Sequence, residues 1–227
     1  MKSNKDDLEL KKSLSKYWPA GKNFHSSSIS FIKRYQNKII VIKYGGYALT
    51  KNNLMKSFSK NIALLNKVGI KTIIVHGGGP QIEAELKKRK IKDSEYQGLR
   101  VTTESILKIV KNILSKKLNK IISLELNKFG RIAKRVDGMS LKVIEAKIAL
   151  NGNIGYVGEP TKLDKKTINK IITNKKVPII APIGYTRNGT CLNINADTAA
   201  AFIAETLKAE RLLLLTDVEG VLNNNKK

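Results

Sequence analysis

Thr72-Ile73-Ile74-Val75-His76-Gly77-Gly78-Gly79-Pro80 is the stretch that decides the fold of this chain. Its β-branched run, residues 72–75, reads as a strand buried on both faces. The run breaks directly into three glycines, and a helical pattern resumes at Pro80, a residue suited to a first helical turn. Glycines between strand and helix let the backbone approach a ligand closely and offer bare N–H groups, while the helix start adds partial positive charge. Such a corner fits an anion: a phosphate, a carboxylate or a phosphoryl group in transfer. A lone Gly-Gly-Gly is more often a tight turn, so the meaning of this one depends on the segments around it.

Working outward, residues 39–42 form a second β-branched run that ends in Lys43-Tyr44-Gly45-Gly46. Further strands are expected at 71–75, 177–181 and 211–216, and helices at 54–68, 81–89, 164–175 and 197–207. A long helical region with a break is expected over 102–126. Asp137-Gly138, between runs at 132–136 and 141–146, predicts a hairpin turn, and Asn188-Gly189 a second turn within 186–190. The alternation of apolar strands with helices predicts an α/β fold with a mostly parallel sheet covered on both faces. Residues 1–36 stand apart as an N-terminal helical extension to a domain over 37–227. In the extension Leu10, Leu14, Tyr17 and Trp18 lie at helical spacing up to Pro19-Ala20-Gly21, and a second helical segment opens at Ser26-Ser27-Ser28 with Ile29, Ile32 and Tyr35. That stripe must be buried, on its own domain or on another subunit.

The net charge of +25 and a pI near 10.1 invite a nucleic-acid or anionic-membrane reading. Only seven of the 43 basic residues are Arg, and the lysines are spread along the chain among many Asn and Ile. A solvated lysine-rich surface is therefore expected, with neither nucleic acid nor membrane as partner. A single cysteine, Cys191, rules out an internal disulfide framework and fits a reducing compartment. No apolar run approaches a membrane span, and residues 1–14 mix acids with lysines and lack a signal-peptide core, so a cytoplasmic protein is expected.

Several residues stand where chemistry is done. Lys43 ends a strand, the edge at which α/β sheets bind ligands, and its ammonium beside glycine N–H groups suits a transferring phosphoryl group. The alternative is a lysine snorkelling from a strand end. Arg100, in Gly98-Leu99-Arg100-Val101-Thr102, suits a bidentate carboxylate clamp, or is a plain surface Arg. Asp197, in Asn193-Ile194-Asn195-Ala196-Asp197, is a candidate site acid or merely an acid at a helix start. Small residues behind it would let that helix pack close to a sheet. Thr216-Asp217-Val218-Glu219-Gly220 forms a third strand-end loop. No P-loop or Rossmann glycine pattern is present, and no metal-ligand set is expected.

In order and spacing, Lys43-Tyr44-Gly45-Gly46, Val75-His76-Gly77-Gly78-Gly79-Pro80, Gly98-Leu99-Arg100-Val101-Thr102, Gly155-Tyr156-Val157-Gly158, Asn193–Asp197 and Thr216–Gly220 resemble the motifs of the amino acid kinase family, and within it those of the acetylglutamate kinases. The resemblance runs from about residue 24 to the end. It implies a three-layer α/β/α sandwich that uses ATP, with Mg2+ carried on the nucleotide, to phosphorylate the γ-carboxylate of N-acetyl-L-glutamate in arginine biosynthesis. It further implies that Lys43 stabilises the transferring group and Asp197 holds the catalytic lysines. Gly78, Gly79, Arg100 and Asn193 would bind acetylglutamate, and Gly45, Gly46, Thr216, Asp217 and Gly220 would line the nucleotide. A homo-oligomer is implied, a dimer or a hexamer joined through the N-terminal helix, with feedback by arginine. The carboxylate nucleophile is already ionised at pH 7, so no general base is required and His76 is expected to be structural. A kinase of a related acylated dicarboxylate, such as acetylaminoadipate, and a non-catalytic homologue are the other readings.

The sequence departs from the family twice. Lys134-Arg135-Val136 stands where a longer glycine-bearing stretch is usual. The sequence also stops at Lys227, ahead of the family's remaining nucleotide-binding segment and second catalytic lysine, so these 227 residues alone are expected to be incompetent as a kinase.

Overall fold

The computed structural model describes Leu14 and residues 26–216. Five strands form one parallel sheet, in the order β11 (Arg211–Leu215), β1 (Ile39–Tyr44), β2 (Lys71–His76), β8 (Val177–Ile180) and β5 (Ala133–Val136). Strand alternation divides their side chains between two apolar layers. Ile40, Ile42, Tyr44, Ile74 and Ile179 face α2 (Asn52–Lys67) and α5 (Asn119–Asn127), where Phe58, Ile62, Ile122 and Leu126 close the core. Val41, Ile73, Val75 and Ile180 face α6 (Lys165–Thr173) and α7 (Ala196–Thr206). The result is the three-layer α/β/α arrangement that the motifs imply. Ala199 and Ala200 are fully buried in the second layer, so the small residues of α7 do bring it close to the sheet.

Helix α1 (Ser26–Tyr35) sends Ile32 and Tyr35 into the first layer. Leu14 is fully buried in that same cluster, on the protein's own domain. Leu10, Tyr17 and Trp18 lie outside the described residues.

A second, smaller sheet was not anticipated. Strands β10 (Cys191–Ile194), β7 (Val157–Leu163), β6 (Ile144–Ile148) and β9 (Ile183–Tyr185) close into a four-stranded barrel of mixed direction. Its formation corrects the hairpin expected at Asp137-Gly138. β5 pairs in parallel with β8, whereas β6 pairs with β7 and β9, so the turn carries the chain from one sheet to the other. Asp137 does shape a tight turn, its Oδ1 accepting from the N–H groups of Met139 and Ser140 at 2.9 and 2.8 Å. The Asn188-Gly189 turn does join a hairpin, between β9 and β10.

The helical region expected over 102–126 is interrupted as the pattern suggested. Helix α4 (Glu104–Lys111) passes into a π-helical segment, Asn112–Leu118, before α5 begins. One two-stranded ribbon, β3 (Glu95–Tyr96) with β4 (Leu99–Arg100), stands beyond the end of α3 (Gly79–Lys88).

Candidate active site

The C-terminal ends of β1, β2 and β11 meet at one edge of the large sheet, the edge at which α/β proteins bind ligands. There the two glycine loops interlock. The Gly77 N–H donates to the Tyr44 carbonyl at 2.8 Å and the Gly45 N–H to the Leu215 carbonyl at 3.2 Å. Gln81 Nε2 donates to the Gly46 carbonyl at 3.0 Å, tying the first loop to the start of α3. A Cβ on Gly46 would stand 2.8 Å from Pro80 Cδ and 3.1 and 3.2 Å from the nitrogens of Gly79 and Gly78. Gly78 is constrained from the opposite side: a Cβ there would stand 2.6 Å from Leu114 Cδ2 and 2.8 Å from Leu118 Cδ1. Close approach of the proline ring and backbone makes glycine a requirement at position 46, whereas at Gly78 the π-helical segment supplies a wall of leucine side-chain ends.

These loops line a cleft of about 620 Å³, within the usual range for a small-molecule site. Lys43, Gly45, Gly46, Gly78, Gly79, Arg100, Asn193, Asp197 and Thr216 all border it. Nine of the eleven expected site residues are thus brought together, and the other two, Asp217 and Gly220, lie outside the described residues.

Strand alternation explains the setting of Lys43. It falls two residues after Val41, on the sheet face covered by α7. Its Nζ stands 3.2 Å from Asp197 Oδ1, with Lys43 15 % exposed and Asp197 51 % exposed. Asp197 is not the cap of its helix. Asn195 is, its Oδ1 accepting from the N–H groups of Asp197 and Thr198 at 2.9 and 3.1 Å. With the cap made by another residue, the Asp197 carboxylate is left to the lysine.

Arg100 is nearly buried and its guanidinium is already engaged. It donates through Nη1 to Asp93 and through Nη2 to Glu83 Oε1, the latter at 3.2 Å. Sequence reasoning singled out neither acid, and no local spacing links them to Arg100. Thr102 was likewise not given a role. Its hydroxyl donates to the Arg100 carbonyl at 2.8 Å and accepts from Asn193 Nδ2 at 3.1 Å, coupling the ribbon to the barrel.

His76 lies behind the corner, fully buried. Burial lowers its imidazole from the usual 6.5 to about 4, so it is neutral at physiological pH.

Residues 38–227 match the profile of the amino acid kinase family. The chain is 43 % identical, over 87 % of its length and 66 % of the relative's, to the acetylglutamate kinase of Caldanaerobacter subterraneus subsp. tengcongensis. It is 44 % identical, over 86 % of its length and 68 % of the relative's, to that of Clostridium acetobutylicum. The chain belongs to the amino acid kinase family. It spans about two thirds of the length of these two relatives. A solved structure agrees in fold: smu.665 from Streptococcus mutans UA159 superposes with a TM-score of 0.75 at 33 % identity, covering 82 % of this chain and 75 % of that one.

Among the described residues no helix is long and apolar enough to cross a membrane.

Proposed function

We propose that the protein transfers the γ-phosphoryl group of ATP to the γ-carboxylate of N-acetyl-L-glutamate, giving the acyl phosphate and ADP. The observation that carries this reading is the Lys43–Asp197 pair at the mouth of two interlocked glycine loops, in one cleft with Arg100. One carboxylate oxygen attacks phosphorus while the bond from phosphorus to the ADP oxygen breaks. Charge on the transferring group is met by the Lys43 ammonium and by N–H groups of the glycine corner. Arg100 takes the α-carboxylate, and Asn193 borders the same substrate. Gly45, Gly46, Thr216, Asp217 and Gly220 run along the nucleotide, whose phosphates carry Mg2+. The carboxylate nucleophile needs no base, in keeping with a neutral His76 set behind the corner.

The test is acyl-phosphate trapping. The intact gene product, given ATP and acetylglutamate in the presence of hydroxylamine, should form the hydroxamate. Acetylaminoadipate, one methylene longer, should react with a kcat/KM lower by about 10–200-fold. No hydroxamate at saturating acetylglutamate and ATP would defeat the proposal.

A further inference from the structure

Behind the glycine corner runs a chain of buried polar groups that the phosphotransfer chemistry leaves unused. His76, at the end of β2, and Asn119, opening α5, are both fully buried. Their donor and acceptor roles are dictated from one end. Arg135, on β5, carries only donors. Its Nε lies 3.1 Å from Asn119 Oδ1, and its Nη2 lies 2.8 Å from the Ser115 carbonyl in the π-helical segment. Asn119 therefore presents its oxygen to Arg135 and its amide nitrogen to the other side. That nitrogen donates to the Ile179 carbonyl at 2.8 Å and stands 3.2 Å from His76 Nε2. An amide NH2 group only donates, so Nε2 is the bare acceptor and the ring proton sits on Nδ1. Nδ1–H then donates to the Gly77 carbonyl at 3.1 Å.

What this chain fixes is one peptide plane. Peptide 77–78 is trans, so its C=O and N–H point in opposite directions. With the carbonyl held against His76, the Gly78 N–H points away from the imidazole, and its nitrogen lies beside Gly46 at the border of the cleft. Among the described residues it meets no acceptor. A peptide flanked by two glycines rotates with little steric penalty, so its orientation needs an external hold. The Leu114 and Leu118 side chains press on the same glycine from the π-helical segment, whose Ser115 carbonyl is bound by Arg135.

We propose that His76 is a positioning residue of the acetylglutamate site. As the Nδ1–H tautomer it holds peptide 77–78 so that the Gly78 N–H faces the substrate. Asn119 and Arg135 set that tautomer. This rests on the phosphotransfer reading of the cleft. Burial lowers the basicity of the imidazole, which keeps the ring in the neutral form that this tautomer requires.

Two amides of different reach test the idea. In His76→Asn the side-chain nitrogen stands near the place of Nδ1; in His76→Gln it reaches instead toward the place of Nε2. KM for acetylglutamate should rise about tenfold in His76→Gln, the scale of one hydrogen bond to a charged group. KM for ATP should stay within about twofold, and His76→Asn should stay within about threefold of the parent protein in both. Equal losses in the two variants, or a parallel rise of both KM values, would overturn the proposal, since a merely structural role treats two buried amides alike. Should neither variant fold, Arg135→Met releases Asn119 from a partly exposed position and should raise KM for acetylglutamate about threefold; an unchanged KM overturns the proposal. Calorimetric titration with acetylglutamate reads the same ratios without turnover. A parent protein that neither turns over nor binds acetylglutamate sinks the phosphotransfer reading and this proposal together, whereas a working parent with equal Asn and Gln variants sinks this proposal alone.

Discussion

The two cations that border the cleft among the described residues, Lys43 and Arg100, are mounted in opposite ways. Lys43 stands on a strand hydrogen-bonded on both sides and meets one carboxylate, that of a half-exposed Asp197. Arg100 stands on a two-residue ribbon strand and is held by two carboxylates, with only 9 % of its side chain exposed. The lysine has a base fixed in the sheet and a charge met by one carboxylate. The arginine has a small base and a charge clamped by its partners. An ammonium on a flexible side chain can follow a phosphoryl group as it moves, whereas a clamped planar fork suits a carboxylate that does not change during the reaction. One cation should therefore act on the rate and the other on binding.

The contrast breaks most sharply at Lys43. In Lys43→Ala, kcat should fall by about 10²–10³, the scale of losing one preorganised stabilising group, with KM for acetylglutamate little changed. Steady-state kinetics decides it: a kcat within about twofold of the parent removes the catalytic role. Next in size is Arg100→Ala. It should raise KM for acetylglutamate about 10–100-fold, the worth of hydrogen bonds between charged groups, and leave kcat at saturation nearly intact. If kcat fell with KM unchanged, the two cations would have exchanged roles and the contrast in mounting would mean nothing for function.

How much of this was legible depends on whether a feature is local. Lys43, the glycines and Asp197 sit at strand ends and a helix start, each announced by its own neighbours in the chain. The large sheet follows from β-branched runs such as Thr72–Val75, apolar on both faces and separated by helices of ordinary length. The barrel gave no such signal. β9 and β10 have three and four residues, and β7 is interrupted by Gly158 and Pro160 and mixes buried with exposed residues. Short strands of mixed polarity are set by partners distant in sequence, which periodicity does not report. The break over 102–126 was expected, but nothing within Asn112–Leu118 is Gly or Pro, so its π-helical form was not. Asp93 and Glu83 were invisible for a similar reason: they reach Arg100 from separate elements, and only the folded ribbon brings them there.

Those two acids give the finer tests of the comparison. Asp93 is the more buried partner, and its second carboxylate oxygen, Oδ1, is buried without a hydrogen bond. Asp93→Asn keeps the shape but weakens the clamp, and KM for acetylglutamate should rise about three- to tenfold, less than on removal of the arginine itself. In the double variant Asp93→Asn/Arg100→Ala the loss should match that of Arg100→Ala, since the acid acts only through the fork. Additive losses in that pair would mean that Asp93 touches the substrate directly.

Glu83 should give the smallest effect and the opposite sign. It lies on α3, is 58 % exposed, and meets Arg100 through a single oxygen at 3.2 Å. An exposed carboxylate of this kind contributes little to stability, on the order of 0–1 kcal/mol. It does present to the guanidinium the same group that the substrate would, so it competes with the incoming α-carboxylate for Nη2. Replacing it by Gln removes the competing charge while Asp93 still holds the other edge. KM for acetylglutamate should then stay level or fall by up to about twofold, most visibly at low ionic strength, where charge competition is least screened. A several-fold rise in KM would show that both carboxylates are needed to aim the fork, and that Arg100 is positioned by a pair rather than clamped by one acid and shielded by the other.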